Sequence, residues 1–160
     1  MQTFLPYADY QQTALLLDYR RLGKQRVETY QILKALTGQS KGWVNHPATN
    51  MWRGYENELC QYGATMSLEW LKRGYKDTVL QHFLAYQNQY EPIRPWWLGY
   101  EPLHTSHKSN LYRKDAEFYS SFADIGGDLP YVWCHPDGTY HLGTDKQSFV
   151  AIEPPQVVYI

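Results

Sequence analysis

Four cations fall within seven positions in the segment Tyr19-Arg20-Arg21-Leu22-Gly23-Lys24-Gln25-Arg26-Val27-Glu28, and Glu28 is the only acidic residue between 19 and 34. Guanidinium groups match phosphate oxygens with several planar donors, and Lys adds a mobile point charge, so Arg20, Arg21, Lys24 and Arg26 make a candidate phosphate site. A solvated basic face with weak ion pairs is an equally ready reading of the same run. The second cluster is Asn45-His46-Pro47 followed by Trp52-Arg53-Gly54-Tyr55-Glu56. His46 at a helix entrance can donate to a phosphate or exchange a proton, and Glu56 can orient it or act as a base. Plain helix capping by His46 and an ion pair of Glu56 with a neighbouring Arg explain the same residues. The third cluster is His104-Thr105-Ser106-His107-Lys108, followed by Arg113-Lys114. Two His three apart share a helix face, which is also a metal-ligand spacing, but no third ligand stands near them. An anion-facing helix is therefore expected there, with no metal and no cofactor.

Aromatic side chains accompany these clusters: Trp43, Trp52, Tyr55, Trp96, Trp97, Tyr131 and Trp133. Most belong to a core on composition alone, although stacking on an exposed base contributes ~1–3 kcal/mol. Trp96 and Trp97, adjacent in a proline-bracketed loop, are difficult to bury together and are expected to form a ligand wall or lid.

The elements that must position these groups read as mostly helical. Apolar spacing predicts a helix from Asp9 to Leu22, with Asp9 as cap and Gly23 as a stop or bend, and a second helix or an extension over 24–37. Pro47 opens a long helix whose stripe is Met51, Tyr55, Leu59, Tyr62, Met66 and Trp70, ending near Gly74. A shorter helix capped by Asp77 spans 77–88, EPIRPWWLGYEP is a loop, and a final helix runs from about Thr105 to Phe122. After Gly126-Gly127 the pattern turns to short alternating pieces, YVWCHPDGTYHLG and SFVAIEPPQVVYI, which suit a hairpin and an extended tail. The expected architecture is a mainly α, single-domain helical bundle over 1–125 with an irregular or β extension over 126–160 packed on it.

Composition narrows the function classes. With 160 residues, 43% hydrophobic and 19% charged, the chain is long enough for a globular core. The formal charge of −1 counts against indiscriminate duplex binding, yet it is unevenly spread. Residues 1–120 carry fourteen basic and eleven acidic groups, a net +3, and residues 121–160 one and five, a net −4. No apolar run reaches the ~18–20 residues of a membrane helix and no signal-peptide pattern opens the chain, so a cytoplasmic protein without a membrane partner is expected. Cys60 and Cys134 lack CxxC spacing and read as free thiols.

The order of these blocks resembles the pyrimidine-dimer DNA glycosylase family of the phage endonuclease V type. The resemblance spans roughly residues 1–122: the helix with Tyr19-Arg20, GYENELCQYG, EWLKRGYKD and LHTSHKSNLYRKD. It is closest to small bacterial and phage proteins that carry the RRLGKQRVE and HPATNMWRGYE blocks. The resemblance implies an N-terminal amine that attacks the sugar of the damaged nucleotide and forms an imine, with a glutamate directly after the Tyr-Arg pair as acid–base group. An α-amine titrates near ~8 and is partly neutral at cellular pH, which a lysine is not. Two departures stand out. Arg21 occupies the glutamate position, and Gln2 is too large for the usual removal of Met1, which leaves the amine on Met1. Glu28, two helical turns on from Arg21, is the candidate replacement carboxylate, or else a clamp on Arg21.

The leading expectation is therefore a glycosylase acting on damaged or modified DNA, with Met1 as nucleophile, Glu28 or Glu56 as carboxylate, and His46, His104 and His107 gathered around one cleft for proton transfer. Arg20, Arg21, Lys24, Arg26, Arg53, Lys108, Arg113 and Lys114 are the expected phosphate contacts, and Trp52, Tyr55, Trp96 and Trp97 the stacking surfaces. A second expectation is binding or cleavage of a free small nucleotide, linear or cyclic, as in a phage protein that counters host nucleotide signalling. A helical interaction module without chemistry is the third. Oligomeric state is not legible.

Overall fold

The computed structural model describes residues 1–87 and 93–151. Residue 88 at the end of the helix expected over 77–88, the first part of the 91–102 loop and the tail from 152 lie outside the described residues. The chain is mainly α, with six α-helices and a small three-stranded sheet among the described residues. It divides into two compact units, one of residues 1–4 and 9–95, the other of 5–8 and 96–160. The expected boundary at 125–126 falls inside the second unit.

In the first unit α1 spans Tyr10–Leu16 and α2 spans Tyr19–Leu36. Each begins at an aspartate, Asp9 accepting the Gln12 N–H at 2.9 Å and Asp18 the Arg21 N–H at 3.4 Å, as helix N-caps do. The break therefore comes at Leu17-Asp18, and the expected stop at Gly23 does not occur. Gly23 lies inside α2 because the Trp70 ring crosses it so closely that a Cβ would stand 2.9 Å from the ring. Leu22, Gln25, Thr29, Ile32 and Leu33 form the buried face of α2, the three-to-four spacing of an amphipathic helix.

The long helix expected from Pro47 is two helices. Pro47 opens α3, Pro47–Met51, with His46 as its cap, and Gly54 at φ 89° turns the chain into α4, Glu56–Lys72. Helix α5 spans Leu80–Gln87, and Asp77 caps its approach by accepting the Val79 and Leu80 N–H groups at 3.0 and 2.7 Å. Helix α4 packs on α1, α2 and α5. At Gly63 a Cβ would lie 2.6 Å from the Phe83 ring, so only glycine lets α5 seat Phe83 against α4. Phe83, Tyr62, Leu59, Met66, Leu22 and Ile32 are wholly buried, each contributing ~1.5–3 kcal/mol on removal from water.

In the second unit α6 spans Glu101–Lys114, with Pro102 in its first turn, where a missing N–H costs nothing. It starts four residues before the expected Thr105 and ends at Lys114; a separate 3₁₀ turn covers Ser120–Phe122. Strands β1 (Val132–Cys134), β2 (Thr139–Leu142) and β3 (Phe149–Val150) form an antiparallel meander, with Trp133 opposite His141 and Tyr140 opposite both Cys134 and Phe149. Asp137-Gly138 makes the hairpin turn, Gly138 at φ 89°. Helix α6 buries a polar face, and its side chains bond to backbone. The Ser106 hydroxyl accepts the Val132 N–H at 3.1 Å, the Ser109 hydroxyl accepts that of Leu129 at 3.1 Å, and Asn110 donates to the Ser106 and Leu129 carbonyls at 2.7 and 3.1 Å. Among the described residues no helix is long and apolar enough to cross a membrane.

Candidate functional site

The N-terminal segment organises the first unit. The Gln2 N–H donates to Glu28 Oε2 at 3.1 Å and the Phe4 N–H to Gln25 Oε1 at 2.9 Å. Alternate residues of an extended chain thus face side chains three apart on α2. The Tyr62 hydroxyl shares its one proton between the Phe4 carbonyl and Gln25 Oε1, 2.7 and 2.9 Å away, and the Trp52 indole donates to Thr3 Oγ1 at 3.0 Å. Gln2, Thr3 and Phe4 are buried. One peptide unit separates the Met1 amine from the N–H that Glu28 holds. His46 is close enough to feel that amine: burial first, and the Met1 ammonium second, lower the imidazole below its usual pKa. Its Nδ1 accepts the Ala48 N–H at 3.0 Å, so the ring proton sits on Nε2.

Glu28 also lines a groove of about 480 Å³ along one face of α2, with Tyr19, Arg20, Gly23, Lys24, Arg26, Val27, Gln31 and Trp70. Positions 20, 23, 24, 27, 28 and 31 are one helical face, so Arg20, Lys24 and the carboxylate share it. Arg20 and Lys24 are exposed on the groove, and Arg20 Nε donates to the Tyr19 hydroxyl at 3.0 Å. Arg26 forms the wall: its guanidinium lies 4.5 Å from the Trp70 ring centre and pairs with Asp77. Trp70 stacks on Tyr75 at 4.1 Å and donates to the Lys76 carbonyl at 2.8 Å. Arg21 pairs with its own cap, Asp18, at 3.2 Å and does not line the groove. Glu28 therefore clamps the backbone of Gln2, and Asp18 is the partner of Arg21.

A model of the pyrimidine dimer DNA glycosylase family matches residues 1–82, half of the chain and nearly all of the unit just described. The chain belongs to this family. No curated protein and no solved structure matches it. The family match covers the N-terminal segment, the α2 groove, His46 and Trp70, and it ends before the second unit's helix and sheet.

Other expected site residues have different positions. Glu56 is tied to its own helix start, accepting the Gly54 N–H at 3.1 Å. Arg53 donates to the Val44 carbonyl at 3.0 Å. Trp52 is wholly buried on Thr3, a core residue instead of a stacking surface, and Tyr55 is half-buried at the start of α4. The Trp96–Trp97 lid is not observed: Trp97 is wholly buried, and Trp96 donates to the His135 carbonyl at 2.7 Å. Both indoles fit because one enters the core of the second unit while the other covers its hairpin.

His104 and His107 belong to the second unit and His46 to the first. Both α6 imidazoles hold the peptide groups of Leu5. The Leu5 N–H donates to His107 Nδ1 at 2.7 Å, while His104 Nδ1 donates to the Leu5 carbonyl at 2.7 Å and His104 Nε2 accepts the Gly99 N–H at 2.9 Å. Burial, then the neighbouring His104, pushes His107 down to about 3. It is neutral at cellular pH, because burial disfavours the charged form. The anion-facing helix is thus a backbone-holding one. Lys108 stands over the Tyr7 and Phe122 rings at 5.0 and 5.8 Å, Arg113 donates to Asn110 Oδ1, and Lys114 is exposed.

Sequence reasoning missed Gln25, Tyr62, Trp70 and Asp77 as parts of the site. Gln25 carried a signal: a polar side chain three residues before Glu28, on the same helix face as Leu22, Thr29 and Ile32.

Proposed function

We propose that the chain is a DNA glycosylase that removes a damaged or modified base, with the Met1 amine as nucleophile and Glu28 as its acid–base partner. The observation that carries this reading is the Gln2 N–H on the Glu28 carboxylate, which sets the terminal amine beside a half-buried carboxylate on the groove bearing Arg20 and Lys24. In this chemistry the neutral amine attacks C1′ of the damaged nucleotide, forming a C–N bond as the glycosidic bond breaks and the base leaves with its electron pair. Glu28 takes the proton released by the attacking nitrogen and delivers it to the ring oxygen as the sugar opens to an imine. Arg20 and Lys24 supply phosphate contacts that position the strand without reading its sequence. Extrusion of the target nucleotide brings C1′ to the amine. His46 is assigned a supporting part in proton transfer, because its imidazole feels the Met1 amine. The family match favours DNA as partner and lends no support to a free nucleotide.

Selective acetylation of the terminal amine tests this reading. The free protein is expected to incise ultraviolet-irradiated duplex DNA, and the acetylated protein to bind the same duplex and leave it intact. Equal incision by the two forms, or none by the free form, overturns the proposal.

A further inference from the structure

All six tryptophans are described, and Trp43 alone is exposed, at 50% of its surface. The other five are committed: Trp52, Trp97 and Trp133 to cores, Trp70 to Arg26 and Tyr75, Trp96 to a hairpin carbonyl. Trp43 is also the only non-glycine residue among those described with positive φ, at 65°. A bulky side chain there is strained, and such strain persists only where the surroundings over-determine it. The loop supplies that fixing. Arg53 donates to the Val44 carbonyl at 3.0 Å, the His46 N–H donates to the Trp43 carbonyl at 3.2 Å, and the Gly42 N–H donates to Ser40 Oγ at 3.2 Å. The backbone is thus tied on both sides of an indole that is left in water.

That indole adjoins His46. Its ring centre lies 5.5 Å from the His46 imidazole in an edge-on arrangement, and no ring among the described residues stacks on it face to face. His46 in turn feels the Met1 amine. Extruding a damaged nucleotide unstacks a base and bares a π-face to water, and a fixed, half-exposed indole is the matching surface. Its rigidity lowers the ordering cost of the contact, since the loop already holds the side chain outward.

We infer that Trp43 stacks on a nucleobase exposed at the lesion and is the residue that makes the protein prefer damaged to intact duplex. This rests on the glycosylase reading for its substrate, and the test separates the two. The variants are Trp43→Ala and Trp43→Phe, and the probes are an intact duplex, the same duplex with a tetrahydrofuran abasic analogue, and one with 2-aminopurine beside that analogue. Binding is measured for each protein, and borohydride trapping on a natural abasic site is run separately.

Trp43→Ala is expected to bind the abasic-analogue duplex about 5- to 150-fold more weakly, the range that one lost stacking contact spans. Affinity for intact duplex should stay within twofold. Trp43→Phe should recover most of the loss, and the 2-aminopurine emission change seen with the unsubstituted protein should be absent in Trp43→Ala. Unchanged affinity in Trp43→Ala, an equal loss on intact and abasic-analogue DNA, or no preference for the analogue by the unsubstituted protein overturns the inference. If the unsubstituted protein shows the preference but no borohydride adduct, the imine chemistry fails while Trp43 is still judged on binding.

Discussion

Glu28 holds the Gln2 backbone and, in the proposed chemistry, also moves a proton, and two substitutions divide the two duties. Its Oε2 accepts the Gln2 N–H at 3.1 Å, and a hydrogen bond to a charged group contributes ~1.5–3 kcal/mol against ~0.5–1.5 for a neutral one. Glu28→Gln keeps an acceptor of the same reach, so folding stability should fall by about 1 kcal/mol. Glu28→Ala leaves the N–H of a residue that is only 5% exposed without its acceptor, which costs ~1–3 kcal/mol. As acid–base group, however, the carboxylate is lost equally in both, and general acid–base catalysis is worth ~10²–10⁴-fold. Single-turnover incision of ultraviolet-irradiated duplex at saturating protein reads the chemistry, and urea unfolding reads the clamp. Both variants should lose at least ~100-fold in rate, with Ala the less stable of the two. A Glu28→Gln rate within threefold of the parent would show that Glu28 is only a strut, and a Glu28→Ala midpoint equal to the parent would show that the clamp holds nothing.

The groove predicts which cations matter: Arg20→Ala and Lys24→Ala should each weaken DNA binding and reduce the slope of log affinity against log salt by ~0.9, whereas Arg21→Ala, whose guanidinium serves Asp18, should leave that slope unchanged. His107 makes stability acid-sensitive. Its folded-state pKa is about 3 against ~6.5 unfolded, so below ~6.5 the unfolded chain binds the extra proton, and stability falls by ~1.4 kcal/mol per pH unit towards 3. His107→Asn, which keeps an acceptor for the Leu5 N–H, should flatten urea midpoints measured from pH 6.5 to 4, although His46 and His141, also lowered by burial, retain some slope. Gly63→Ala should destabilise by ~1–3 kcal/mol in thermal unfolding, because its Cβ meets the Phe83 ring at 2.6 Å; an unchanged midpoint would mean that α5 moves aside freely.

What was legible in the sequence was local. Asp9, Asp77 and Pro47 mark helix starts because a cap or a missing N–H acts within one turn. Asp137-Gly138 marks a hairpin for the same reason. The placement of helix breaks was not local: Gly23 reads as a stop, but its lack of a Cβ serves the Trp70 ring 47 positions away. Helix α6 reads as anion-facing because Lys108, Lys114 and Ser106 stand beside two imidazoles, and periodicity does not distinguish polar groups that meet a ligand from those that meet buried backbone at Leu5, Leu129 and Val132. The same division runs through the candidate site. Glu28, Arg20 and Lys24 share a face by spacing alone, while the fastening of residues 2–4 by Glu28, Gln25, Tyr62 and Trp52 joins parts up to 58 positions apart, and nothing in the local pattern announces it.

In the proposed chemistry the terminal amine, set beside Glu28, makes the bond to DNA. Incubating the protein with an abasic-site duplex under borohydride, digesting the product and locating the adduct by mass spectrometry tests it directly. The expected product is a reduced secondary amine joining sugar carbon to the nitrogen of Met1. An adduct on a lysine such as Lys24, or no adduct at a concentration where the duplex is bound, would contradict it.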